Sequence, residues 1–123
     1  MMAFTKLELA ALHSMFSERP KAAPQLERQL SVATVVEREN TGVGFFTTIS
    51  VPPDAAAIDA SEPLTGETHA RVPGLEYEMG FVLFFDHGRM ATLEGFTCEG
   101  STTSLDLTNL TFEIIKLPVN RAS

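Results

Sequence analysis

The 123-residue sequence contains no tryptophan, one tyrosine and one cysteine. A lone Cys98 excludes an intramolecular disulfide and any site built from several cysteines. A reducing compartment, and with it a cytoplasmic location, is the expectation. Basic residues are scarce: nine Lys and Arg stand against 16 Asp and Glu, a net charge of −7. Such a surface repels phosphate backbones and anionic membranes, so neither nucleic acid nor a membrane is an expected partner. No apolar run approaches the length of a membrane span. The N-terminal stretch MMAFTKLELAALHSMF is interrupted by Lys6 and Glu8 and lacks a small-residue cleavage site, so it is not read as a signal peptide. A glycine-rich phosphate loop is also missing, because Gly42-Val43-Gly44 is too short and opens a strand rather than a helix. No serine elbow of the G-x-S-x-G kind occurs.

What is present suits one domain spanning residues 1–123. Apolar residues make up 44% of the chain, enough for a core at this length without disulfide or metal staples. Thr5 and Glu8 form a capping box, so a helix begins near Thr5, with Leu9, Leu12 and Phe16 at helical spacing. Pro20 ends it. Pro24 suits the first turn of a second, short helix that buries Leu26 and Leu30.

From Ser31 the pattern turns β-branched and alternating. Ser31–Val51 reads as a hairpin turning at Asn40-Thr41-Gly42, with Glu37 and Glu39 on one face and Arg38 on the other. Residues 52–74 read as one long acidic, Pro- and Gly-punctuated loop, expected to be mobile. A second hairpin fills Glu76–Cys98, and Leu110–Leu117 is a final strand. The predicted fold class is α+β: two N-terminal helices packed on one face of an antiparallel sheet of about five strands.

The second hairpin carries the best candidate site. A three-residue loop at Asp86-His87-Gly88 places Phe81 opposite Leu93, Val82 opposite Thr92, and Glu94 opposite Gly80. That register leaves a notch beside Glu94, lined by Val82, Phe84 and Phe96. A buried Glu94 needs a cation or a hydrogen-bond donor, for which Arg38 and Arg89 are the candidates. A carboxylate so placed could serve as an acid or base. A structural ion pair, or a Glu at a sheet edge, is the plainer reading of the same pattern.

Other chemistry is thin. His13, His69 and His87 match no metal-ligand spacing, so no metal or cofactor is expected. Cys98 has acidic neighbours, Glu94 and Glu99, which disfavour a thiolate; it reads as a small buried or half-buried hydrophobe.

The segment GRMATLEGFTCEG, with its Gly-x-x-x-x-Leu-Glu-Gly-aromatic pattern from Gly88 to Phe96, resembles a hairpin seen in small uncharacterised bacterial proteins. The first hairpin, RENTGVGFFTTISV, goes with it. The acidic, Pro-containing tail that often follows is replaced here by Glu99-Gly100-Ser101. The resemblance implies a bacterial protein of unassigned function. Some such small acidic proteins look like immunity partners of toxins, but no functional residue carries over.

Two functional expectations result. The first is a non-enzymatic protein that acts through a partner protein, most suitably a basic one. The second is a small-ligand binder or enzyme using Gly80, Glu94 and Phe96 with Arg38 or Arg89. Self-association as a homodimer is a further expectation, because two short helices leave part of a sheet uncovered.

Overall fold

The computed structural model describes residues 2–118. The elements run α1 (Lys6–Ser17), α2 (Ala23–Val32), β1 (Thr34–Asn40), β2 (Gly44–Ser50), β3 (Thr68–Arg71), β4 (Met79–Asp86), β5 (Arg89–Phe96) and β6 (Glu113–Lys116). All six strands form one antiparallel sheet in the order β1-β2-β5-β4-β3-β6. The α+β architecture is as the sequence indicates, with one strand more than expected.

Helix α1 starts where the capping box places it. The Glu8 N–H donates to the Thr5 hydroxyl at 3.0 Å, and the Glu8 carboxylate accepts the Thr5 N–H at 2.8 Å. Leu7, Ala11, Leu12, Met15 and Phe16 form its buried face. Helix α2 has Pro24 in its first turn and buries Leu26 and Leu30. These residues meet Phe45, Ile49, Met79, Phe81, Leu83, Met90 and Leu93 from one face of the sheet. Leu105, Leu107, Leu110 and Phe112 from the segment before β6 join the same core.

The extra strand, β3, lies inside the stretch read as irregular. Thr68 and Ala70 are buried there and alternate with half-exposed His69 and exposed Arg71, a period of two. Four residues with only one aliphatic side chain among them give too weak an alternation to find from sequence. Elsewhere in the long loop, two points bond to the β4–β5 hairpin through the backbone. Leu64 exchanges N–H···O bonds with Leu83 at 2.8 and 2.9 Å, and the Ile58 N–H donates to the Gly88 carbonyl at 2.8 Å.

Two boundaries also move. Ser31 and Val32 continue α2 rather than opening the first hairpin, because the chain becomes extended only at Ala33. The final strand is confined to Glu113–Lys116; Leu110 and Phe112 pack on the core from outside the ladder.

The register of the β4–β5 hairpin differs from the sequence reading in an instructive way. Its loop has two residues, His87 (φ 52°) and Gly88 (φ 79°), both left-handed, which is the type I′ geometry that matches strand twist. A two-residue loop alone would set Glu94 against Phe81 and turn it toward the core. A bulge at Ala91, between the Phe85–Met90 and Phe84–Thr92 pairs, absorbs the odd residue. The result is Glu94 opposite Val82 and Phe96 opposite Gly80. Beyond the bulge the pairing is shifted by two residues from the expected one, so Met79–Phe84 and Thr92–Phe96 keep their predicted faces, while Met90, before the bulge, turns into the core instead of facing Phe84.

Candidate functional site

The five candidate residues do not converge. Gly80 does not face Glu94; its partner across the ladder is Phe96. The Phe96 ring occupies the space a side chain would need, since a Cβ on Gly80 would lie 2.4 Å from the ring Cζ. The expected notch is therefore filled by an aromatic ring. The other face repeats the device: the Phe45 ring covers Gly95, where a Cβ would come within 2.3 Å of it.

Arg38 lies on the helix-covered side and is committed there. Its Nε and Nη2 donate to Glu8 Oε2 and Oε1, both at 2.7 Å, in a bidentate pair whose side chains are 10% and 1% exposed. Glu8 also accepts the Thr5 N–H and the Thr47 hydroxyl, so both carboxylate oxygens are satisfied. The Glu8 hydrogen bonds hold the Arg38 guanidinium above its ordinary pKa, against the opposing effect of burial. The acid held inside this protein is Glu8, not Glu94. Its signal was present in the sequence: Glu8, Leu12 and Met15 share one helical face, so a carboxylate stands on the apolar side of α1.

Arg89 sits at the far end of the hairpin. Its guanidinium donates to the carbonyls of Ala55 (2.9 Å) and Pro53 (2.7 Å), gripping the start of the long loop. Fully buried Gln29 completes that clamp. Its amide donates to the Ala56 and Gly88 carbonyls and accepts the Met90 N–H, each at 3.0 Å. Cys98 is exposed rather than half-buried, because the chain has already left the sheet at Thr97. The histidines are dispersed: His13 beside Glu27 at 2.8 Å, His69 against the Glu67 carbonyl at 2.9 Å, and His87 beside Asp86 at 2.7 Å.

Glu94 and Phe96 remain on the sheet face away from the helices, and that face is the most distinctive surface. Register sets two rows across it. One runs Glu37–Thr48–Thr92–Phe84, the other Glu39–Phe46–Glu94–Val82. Phe46 is 38% exposed, while Val82, Phe84, Glu94 and Phe96 are half-buried. None of these aromatic or aliphatic groups belongs to the core formed with the helices. Glu37, Glu39, Phe46, Thr48, Phe84 and Thr92 together line a depression of about 390 Å³. Among the described residues, no Lys, Arg or His lies within ion-pair distance of Glu37, Glu39 or Glu94.

Sequence alternation places Glu37, Glu39, Glu94 and Phe84 on this face, but it does not single out Phe46, which sits beside Phe45 and could as well have turned inward.

A second ionic cluster, at the other end of the sheet, joins elements rather than opening a site. Lys116 Nζ donates to Glu18 Oε2 at 2.7 Å and to the Ser14 carbonyl at 2.8 Å. Glu18 also accepts the Thr68 hydroxyl and the Glu67 N–H. Burial pulls the Glu18 carboxyl upward, but the hydrogen bonds from Lys116, Thr68 and Glu67 outweigh it and leave the pKa below its ordinary value. Among the described residues, no helix is long and apolar enough to cross a membrane, and no three His, Cys, Asp or Glu side chains gather as a metal site. No protein-family model, characterised protein or solved structure matches the chain.

Proposed function

We propose that the protein is a non-catalytic binding module that docks a basic protein partner on the helix-free face of its sheet. The observation that carries this reading is the composition of that face: Phe46, Val82, Phe84 and Phe96 stand out of the core, with Glu37, Glu39 and Glu94 beside them and no counter-ion among the described residues. An exposed Phe46 beside half-buried Phe84 and Phe96, bordered by charge of one sign, is the composition of a docking surface rather than of a solvated one. The net charge of −7 adds long-range attraction for a cationic partner.

A second copy is a poorer occupant, since a two-fold pairing would set the same carboxylates against each other. Small-ligand chemistry at Gly80 and Glu94 loses its premise, because Phe96 fills the space above Gly80.

The test places a photo-crosslinking residue at Thr48, on this face, and in a second variant at Ser31, exposed at the end of α2. In lysate of the source organism the Thr48 variant should give a discrete adduct with a basic protein, weakening as salt rises. The Ser31 variant should not. Equal adducts from both positions, or none from Thr48, would overturn the reading.

A further inference from the structure

Resting on the reading that this face docks a basic protein, we infer that the partner's anchoring side chain is an arginine, seated between Phe46 and Phe84. Phe46 stands on β2 and Phe84 on β4, with β5 between them and in neighbouring rows, so their backbones lie about 12 Å apart on a diagonal, two strand spacings across and two residues along. Both rings border the same depression of about 390 Å³, where a planar cation can lie against an aromatic face. Thr48 and Thr92, paired across β2 and β5, form the floor with short side chains whose hydroxyls accept hydrogen bonds. Glu37 and Glu39, on the edge strand β1, close one side with carboxylates.

That combination discriminates between the two common cations. A guanidinium is planar and weakly hydrated, stacks on aromatic faces and offers a fork of N–H donors to carboxylates. An ammonium is compact and strongly hydrated, and would give up its water for an aromatic face at greater cost. Arginine is also the charged residue enriched at interface hot spots.

The test uses the intact chain, labelled with ¹⁵N, titrated to tens of millimolar with Nα-acetyl-arginine methylamide. The corresponding lysine compound and the citrulline compound, which is neutral with nearly the same shape, are the comparisons. The arginine compound should shift the amides of Thr48, Phe84 and Thr92 saturably, with an affinity near millimolar, as fits one side chain without its protein. It should bind at least about threefold more tightly than the lysine compound. The citrulline compound should leave these amides unmoved. The Glu37→Gln/Glu39→Gln variant, changed only at exposed positions, should keep its folded spectrum and bind the arginine compound several-fold more weakly.

Equal binding of lysine or citrulline, shifts centred elsewhere, or no shift at all would overturn the inference. If that happens while the Thr48 crosslink succeeds, the face docks its partner without an arginine anchor. If the crosslink fails as well, the docking reading falls with it.

Discussion

At the scale of single residues, the strongest commitments are buried polar groups and glycines facing rings. Glu8 and Arg38 are nearly out of solvent, yet every oxygen of Glu8 is engaged. A buried pair of this kind is costly to break and cheap to replace. Arg38→Met alone should lower unfolding stability by about 3–5 kcal/mol, because it strands the carboxylate. Adding Glu8→Leu should recover a large part of the loss, a coupling that urea denaturation of the two singles and the double would measure. Gly80→Ala should cost about 1–3 kcal/mol through overpacking against the Phe96 ring, and Phe96→Leu in the same chain should relieve it. If Gly80→Ala is neutral in urea denaturation, the ring does not hold the position described. The sequence makes Glu94 conspicuous because it interrupts an alternating strand. Glu8 is less conspicuous, because a capping-box acid is ordinarily solvated and only its place on the apolar face of α1 points to burial.

At the scale of elements, two polar clamps set how the pieces join. Gln29 links α2 to the hairpin turn and to the long loop through three hydrogen bonds. Gln29→Leu should leave the buried Met90 N–H without its partner and cost about 1–3 kcal/mol, while the Gly88 and Ala56 carbonyls keep the Ile58 N–H and the Gln25 amide. Hydrogen exchange should show the Met90 amide losing protection while amides of α1 keep theirs; equal loss in both would mean the clamp is not local. The Glu18–Lys116 cluster ties the end of α1 to β3 and β6, and it gives stability a dependence on pH. Glu18 has a folded pKa below its ordinary value of 4.5. Its contribution is therefore complete above that value and is lost as pH falls through the lower, folded one. Glu18→Gln should flatten this acid limb of the stability curve, and thermal unfolding between pH 3 and 6 would show it (range set by the ordinary carboxylate titration). These joints explain what the sequence could and could not reveal. Helices and hairpins were legible because capping, helical spacing and alternation are local. Strand β3 was not, because its four residues become a strand only when β4 and β6 flank them. The hairpin register is not legible, because the bulge at Ala91 leaves no mark in composition.

At the scale of the whole molecule, the arrangement is a sheet with one face buried and one face offered. The helices and the segment carrying Leu105, Leu107 and Phe112 all lie on the same side, so nothing among these elements covers Phe46, Val82, Phe84 and Phe96. The two faces of β4 and β5 could be assigned from alternation alone. Which of them the helices would cover could not, because both carry aromatic side chains. An exposed apolar face usually invites self-association, and the carboxylates are what oppose it here. A two-fold pairing of this face would bring two patches holding Glu37, Glu39 and Glu94 together, with no cation from the described residues paired to them. The protein should therefore run as a single chain in sedimentation equilibrium at low ionic strength. The Glu37→Gln/Glu39→Gln/Glu94→Gln variant should associate under the same conditions, because removing the charge leaves the aromatic contact unopposed. Raising salt should move the unmodified chain in the same direction but less far, since screening weakens the repulsion of exposed carboxylates without abolishing it. A chain that is already dimeric at low salt, with the triple variant unchanged, would show that the carboxylates do not guard this face and that its partner is a second copy.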